Sequence, residues 1–183
     1  AMGVPVDDCA VVMPITMGAE VLRELRDVKQ YPVKFVYFPP EGCGHLCVIS
    51  TKVPFKRYPT QLAVDFWATK PGTIMGNIVF IVNDDVDITS LKDIIWALST
   101  RVHPDRGITK LRNSFSCPLL PWLSPDERKM SEGAKVLIDG TWPFEWPNEW
   151  IAKVSSFQSI WPEDVQDMVL KNWKDYGLMR EGS

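Results

Sequence analysis

The amino-acid sequence predicts an α/β fold, a single domain in which a mixed β-sheet is flanked by helices and followed by a C-terminal helical arm. Three observations carry that expectation. Ile78 to Val82 is a continuous apolar run rich in β-branched residues, the pattern of a strand covered on both faces and therefore central in a sheet. The run leads through an acidic turn, Asp84, Asp85 and Asp87, into a helix on which Leu91, Ile94, Ile95 and Leu98 recur at helical spacing behind a capping Thr89 or Ser90. Ahead of this unit, two more strand-like runs are followed by a stretch of helical periodicity.

Taken in order, Gly3 to Thr16 has little periodicity, carries Asp7 and Asp8 and meets Pro14, so it reads as an irregular or extended lead-in. Met17 to Lys29 places Val21, Leu22, Leu25 and Val28 on one helical stripe, with Glu20, Arg23, Glu24 and Asp27 turned outward. Val33 to Phe38 and Leu46 to Thr51 read as strands joined by a tight turn over Pro39 to Gly44. Tyr58 to Ala68 is a helix with Pro59 in its first turn, Leu62 and Phe66 inward together with Ala63 or Trp67, and Lys70-Pro71-Gly72 as its stop. After the central unit, Arg101 to Ser131 is polar, broken by prolines and expected to lack regular structure, apart from an apolar island at Cys117 to Trp122. Lys135 to Ile138 returns as a short strand. Trp142 to Trp161 is dense in tryptophan and proline and reads as an interface, and Pro162 to Tyr176 is the last helix, closed by Gly177.

Composition narrows the function classes. A chain of 183 residues, 45% hydrophobic and 11% aromatic, can bury a substantial core as one unit. The formal charge of −3 and a pI near 5.4, with basic residues scattered among acids, provide no footprint for nucleic acid or an anionic membrane. No apolar stretch approaches the roughly 20 residues that span a bilayer. The first residues also lack the pattern of a signal peptide, so a cytoplasmic protein is expected. Ala1 and Met2 read as a cloning remnant, and the natural chain is expected to begin elsewhere. The 4 cysteines are expected to be reduced thiols.

Four features bear on chemistry. The acidic turn at the end of a strand has two readings: carboxylates that hold Mg²⁺ or Mn²⁺ for phosphoryl or glycosyl transfer, or caps for the helix that follows. No phosphate-cradling glycine loop accompanies it, which favours capping. Cys43, His45 and Cys47 would share one face of a strand, as a zinc site might use, but the remaining ligand types are distant in sequence, so cysteines packed in a sheet are expected instead. Lys70 at a helix end complements the dipole by default, although the Pro-Gly after it would hold it in place. No serine or cysteine stands with a histidine in a local catalytic signature, so the residues by themselves name no catalytic group.

VFIVNDDVDITSLKDIIWALSTRVHPDRGI, from Val79, closely resembles the UbiD family of reversible aromatic-acid decarboxylases, which carry a strand, a DDxD-like turn and a WALxTRxxP helix. Pro39 to Gly42 (PPEG), Lys70-x-Gly72, the PLLPW island and KVLIDGTWP at Lys135 to Pro143 follow in the family's order, so the likeness covers Gly3 to about Pro147. The resemblance implies prenylated FMN as cofactor, with a divalent metal and K⁺, held mainly by a preceding domain that supplies an arginine and two glutamates and is absent from this chain. This chain would then be the C-terminal, substrate-capping and dimerising domain, with residues 3–147 as the α/β core and 148–183 as linker and helix. By itself it is expected to be inactive, and no catalytic or metal-binding residue is assigned to it. Position by position, Lys70 matches the lysine that reaches the cofactor phosphate, Thr73 and Ile74 fall where residues line the substrate, and Cys117 and Leu119 match the pair that walls it. Less closely, Gly3, Asp7 and Asp8 align with the approach that brings Cys9 and Met13 near the pocket. Cys9 stands where threonine can occur and Cys117 where a bulky aromatic can, implying an altered pocket for a hydroxybenzoate-type acid. The competing expectation is a non-enzymatic module whose tryptophan-rich surface assembles a separate partner.

Overall fold

Alternation within three parallel strands decides the architecture. In β2 (Leu46–Thr51) and β3 (Ile78–Asn83), Cys47, Ile49, Val79 and Ile81 point to one side, while Val48, Phe80 and Val82 point to the other. Both sides are apolar, so each needs a covering layer. The structure, a computed structural model, describes residues 8–152 and 155–177 and, within them, all side chains but those of 8–11, 158 and 159. It shows one mixed five-stranded sheet in the order β1-β2-β3-β5-β4. Strands β2, β3 and β5 (Glu132–Gly140) are parallel, and β1 (Val33–Tyr37) and β4 (Ile108–Phe115) are antiparallel edges. The expected α/β class and the central place of Ile78 to Val82 both hold.

Helices α1 (Asp8–Leu22) and α2 (Tyr58–Ala68) cover the first side, where Val21, Leu25, Tyr58, Leu62 and Phe66 are fully buried against the sheet. Burying each such side chain stabilises the fold by about 1.5–3 kcal/mol. Helix α4 (Leu91–Arg101) covers the other side through Ile94 and Ala97. Parallel neighbours require a crossover, and α2 with the short α3 (Lys70–Ile74) supplies the one between β2 and β3. Among the described residues, no helix is long and apolar enough to cross a membrane.

Several expectations are corrected. The lead-in is helical from Asp8, with Pro14 buried inside α1. Arg23–Val28 then continues as a π-helix, whose wider turn carries Val28 off the apolar stripe and leaves it exposed, while Leu25 stays buried. On α4, Leu91, Ile95 and Leu98 face outward, because the helix packs through the smaller Ala97. The segment expected to be irregular contains β4 and α5 (Pro125–Met130), the latter opened by a capping box between Ser124 and Glu127. Strand β4 escapes a pattern search because nearly every residue in it is exposed, so it has no buried face to impose alternation.

The described residues divide into two compact units, between Glu145 and Trp146. The second holds a single 3₁₀ turn at Asn148–Trp150, α6 (Phe157–Ile160) and α7 (Glu163–Lys171). Within it Trp146 stacks edge-on against Trp150 at 6.2 Å, and Trp150, Trp161 and Trp173 remain substantially exposed.

Candidate functional site

Polar groups gather at both ends of the parallel strands, and the two gatherings differ in kind. At the carboxyl ends, Asp85 pairs with Arg101 in a fork, Nη1 to Oδ1 at 2.8 Å and Nη2 to Oδ2 at 2.7 Å. The Arg101 side chain is only 2% exposed, and its guanidinium lies over the rings of Trp96 and Trp142 at 4.8 and 5.0 Å. The hydrogen bonds from Arg101 hold the Asp85 carboxyl below the usual carboxylate range, against the opposing pull of burial. Asp87 accepts from the Thr89 amide and hydroxyl, and Ser90 caps α4 through the Asp93 amide. Ser90 is therefore the cap, Asp87 only closes the turn ahead of it, and the capping expected of the acidic turn falls to neither Asp87 nor Asp85, whose carboxylate is committed to Arg101. Asp84 takes part through its carbonyl, which accepts from Lys34.

At the amino ends the groups are neutral or lone. Asn77, just before β3, donates to Ser116 Oγ at 2.9 Å and to the Ala134 carbonyl at 3.3 Å, and its Oδ1 accepts from His45 Nδ1 at 3.4 Å. His45 Nε2 is buried and, among the described residues, has no hydrogen-bond partner. Burial draws the His45 pKa below its ordinary value, with Asn77 pulling the other way. Lys135 on β5 is buried and donates to the Gly72 carbonyl at 2.6 Å and the Thr73 carbonyl at 2.9 Å. Burial lowers its pKa to about 8, while the two carbonyls favour the charged form.

Most of the residues assigned by resemblance lie around this amino end. Thr69 caps α3 by accepting from the Gly72 amide at 3.1 Å, and a Cβ on Gly72 would overlap the Phe66 carbonyl, so the Pro-Gly pair starts a helix as well as ending one. Lys70 consequently opens α3 and does not close α2. It is exposed and, among the described residues, makes no ion pair, so the dipole role expected of a helix C-terminus does not apply to it. Thr73 is half-buried with its hydroxyl proton shared between the Trp67 and Thr69 carbonyls, which leaves its methyl and an acceptor oxygen, but no donor, to offer a ligand. Ile74 is 43% exposed. Cys117 is buried with Leu120 and Leu123 under Met75, whereas Leu119 points outward. Met13 is exposed on α1, which packs against α3, and the Cys9 side chain lies outside the described residues.

The structure thus brings α3, Met75 and Cys117 together and leaves Leu119 as an exposed neighbour in the island. The imagined strand face of Cys43, His45 and Cys47 does not form, because Cys43 sits in a left-handed turn before β2 begins. Among the described residues, no three metal-ligating side chains come together. A shallow cavity of about 230 Å³ opens between β4, α5 and the start of β5, lined in part by Arg112, Trp122 and Glu132, and it contains none of the assigned residues. Sequence reasoning missed Lys135. The signal was its parity: Lys135 and Leu137 share a face of β5, and Leu137 belongs to the core beneath α2.

The model of the 3-octaprenyl-4-hydroxybenzoate carboxy-lyase C-terminal domain, UbiD_C, matches residues 10–140. The chain belongs to the UbiD C-terminal domain family. Among curated relatives, it is 25% identical over 171 residues to the pyrrole-2-carboxylic acid decarboxylase of Pseudomonas aeruginosa, a match that covers 88% of this chain and 34% of the relative. Among solved structures it resembles the vanillic acid decarboxylase of Sedimentibacter hydroxybenzoicus in its open form, with a TM-score of 0.72 and 25% identity, covering 94% of this chain and 36% of that one. It shares its fold with the UbiD-class enzyme HmfF from Pelotomaculum thermopropionicum, solved with FMN, at a TM-score of 0.69 and 22% identity, over 85% of this chain and 34% of that one. The UbiD-like chain therefore spans about a third of the length of these relatives. The stretch that carried the resemblance, Val79 to Ile108, lies inside the matched region.

Proposed function

We propose that this chain is the C-terminal substrate-capping and dimerising domain of a reversible, non-oxidative decarboxylase that acts on an aromatic acid of the hydroxybenzoate type in the cytoplasm. The observation that carries the reading is α3. It presents the exposed Lys70 ammonium at its start and the apolar Ile74 at its end, and its carbonyls are tied internally, so a cation and an apolar wall stand on one short rigid element. An exposed ammonium is a suitable point charge for a phosphate, and Lys70 fits the phosphate end of prenylated FMN in that respect. When bound, the cofactor supplies the electron sink for loss of CO₂, and its remaining contacts, the divalent metal and K⁺ belong to a separate domain. Ile74, Leu119, Met13 and the Thr73 methyl would wall the aromatic ring, with Cys117 behind them and Cys9 on the neighbouring turn of α1. Without that other domain, the 183-residue chain is expected to release no CO₂. The exposed tryptophans of the second unit support pairing of two copies.

The test uses the longer enzyme carrying this domain. Losing a charge-assisted bond of about 1.5–3 kcal/mol means that Lys70→Ala should weaken flavin binding roughly ten- to a hundredfold. Bound flavin per protomer and CO₂ release from a panel of hydroxybenzoates are the measurements. Unaltered flavin affinity would remove Lys70 from the site, and turnover by this chain without the other domain would overturn the division of labour.

A further inference from the structure

Lys135 has an unusual position for a lysine. Its ammonium does not extend to solvent and pairs with no carboxylate among the described residues. It turns inward from β5 to two backbone carbonyls at the end of α3, at 2.6 and 2.9 Å. The carbonyls in the last turn of a helix have no partners within the helix, and an ammonium is well suited to receive them. Burying a cation is costly, and a leucine or methionine would avoid that cost while leaving both carbonyls unpaired, so the two effects offset and stability alone does not account for the choice.

The arrangement around Lys135 does account for it. One residue earlier, the Ala134 carbonyl accepts from Asn77, which also holds Ser116, the neighbour of Cys117. The two sides of the proposed pocket, α3 and the Cys117 island, are thus tied to adjacent positions on β5 by separate polar contacts. Met75, next after α3, closes over Cys117. We infer that Lys135 is a positioning residue: by holding the Gly72 and Thr73 carbonyls it fixes α3, and through Met75 it sets how closely the Thr73–Ile74 wall approaches Cys117, and hence which aromatic acid fits between them.

The inference rests on the decarboxylase reading for its substrate, but its geometry can be tested without cofactor or substrate. Lys135→Met keeps the volume and removes the donors. In the 183-residue chain, residue-resolved alkylation should then modify Cys117 at least tenfold faster while Cys47, fully buried in the sheet, reacts at the wild-type rate. Hydrogen exchange should quicken over 72–76 and not over β3. Parallel acceleration of Cys117 and Cys47 would mark a purely structural lysine, and no change at either would show that α3 is held by other contacts; either result overturns the inference. If the variant does not fold, the unaltered chain still decides, because ¹⁵N-lysine spectra should show one ammonium in slow proton exchange. Its absence would sink the brace. In the longer enzyme Lys135→Met should raise KM for the aromatic acid more than it lowers kcat, with flavin retained. Loss of flavin in that variant would count against Lys135, whereas wild-type enzyme without decarboxylase activity would instead count against the parent reading.

Discussion

The two ends of the parallel sheet are built on opposite principles. At the carboxyl ends, where open α/β sheets ordinarily receive ligands, most charged groups are engaged: Asp85 and Arg101 form a fork, two indoles cover the guanidinium, whose buried Nε has no hydrogen-bond partner among the described residues, and Asp87 is occupied by Thr89. At the amino ends, a buried lysine and an asparagine hold backbone and hydroxyl groups, and Lys70 and the His45 Nε2 are left over. Two of the three carboxylates in the acidic turn, those of Asp85 and Asp87, are engaged by their own partners, and the end with few charges also has groups to offer. Charge density in a sequence therefore does not locate a site until the partner of each charge is known.

The largest expected effect falls on the carboxyl end. Asp85→Ala leaves the buried Arg101 guanidinium without its fork. Breaking a fully buried pair costs about 3–5 kcal/mol, and because Asp85 is 41% exposed solvent screening reduces this to about 2 kcal/mol. Urea denaturation would read the loss, and an unchanged midpoint would mean that the two tryptophans hold the arginine unaided. The sign with pH follows from the lowered Asp85 pKa. The contribution is fully present above the unfolded carboxyl value and is lost as pH falls through the lower folded one. Wild-type stability should accordingly fall more steeply in acid than that of Asp85→Asn.

A smaller effect is expected at the amino end, where α2 turns into α3. Gly72→Ala sets a methyl against the Phe66 carbonyl, and overpacking of this kind costs about 1–3 kcal/mol. The methyl would meet backbone and not a flexible side chain, so α3 has to shift against its ties to Lys135. A shifted α3 should expose the Gly72 and Thr73 carbonyls and speed hydrogen exchange there, and a stable variant with unchanged exchange would contradict the tight approach.

A pH-dependent effect tests the amino end further. Burial holds Lys135 to about 8 in the folded chain, below its unfolded value. Between those two values the unfolded chain binds more protons, so the contribution of Lys135 to stability rises with pH. Tyr58, pushed up to about 12 by burial, and Cys47, also raised by burial, act in the opposite direction over part of the alkaline range. The observable is therefore the wild-type minus Lys135→Met difference in unfolding free energy, which should grow on going from pH 8 toward 10.5. A flat difference would mean that the two carbonyls cancel the burial.

Much of the fold was legible because local and tertiary preferences agree there. Leu46 to Thr51 and Tyr58 to Ala68 have the expected bounds, and Ser90 caps α4 as expected. The failures have identifiable causes. Pro14 makes Gly3 to Thr16 read as an irregular lead-in, yet α1 carries it inside the helix, beyond the first turn, at the loss of one backbone hydrogen bond. Leu91, Ile95 and Leu98 have helical spacing, but the sheet selects the narrower Ile94 and Ala97 side, a choice that only packing makes. For the candidate site, the assignment of Lys70, Thr73 and Ile74 comes from the family likeness alone, because an exposed lysine and a half-buried threonine leave no periodic trace. Lys135 was hidden by its type, since a lysine in a strand is read as facing solvent unless its parity with Leu137 is checked.

Strand β4 has one further consequence. It is the last strand of the sheet, and among the described residues its outer row of amides and carbonyls has no neighbouring strand. Such a row can template the addition of another chain, and Ile108, Leu111 and Phe115 would make the addition adhesive. Two features oppose it. Lys110 and Arg112 place like charges wherever two copies of the edge would align. The register also breaks between Leu111 and Ser114, with Asn113 in a left-handed conformation. The same kink that interrupts β4's pairing with β5 thus acts as a gatekeeper against fibre-like stacking, and whatever else adjoins the sheet must approach this margin through side chains and not by extending the ladder.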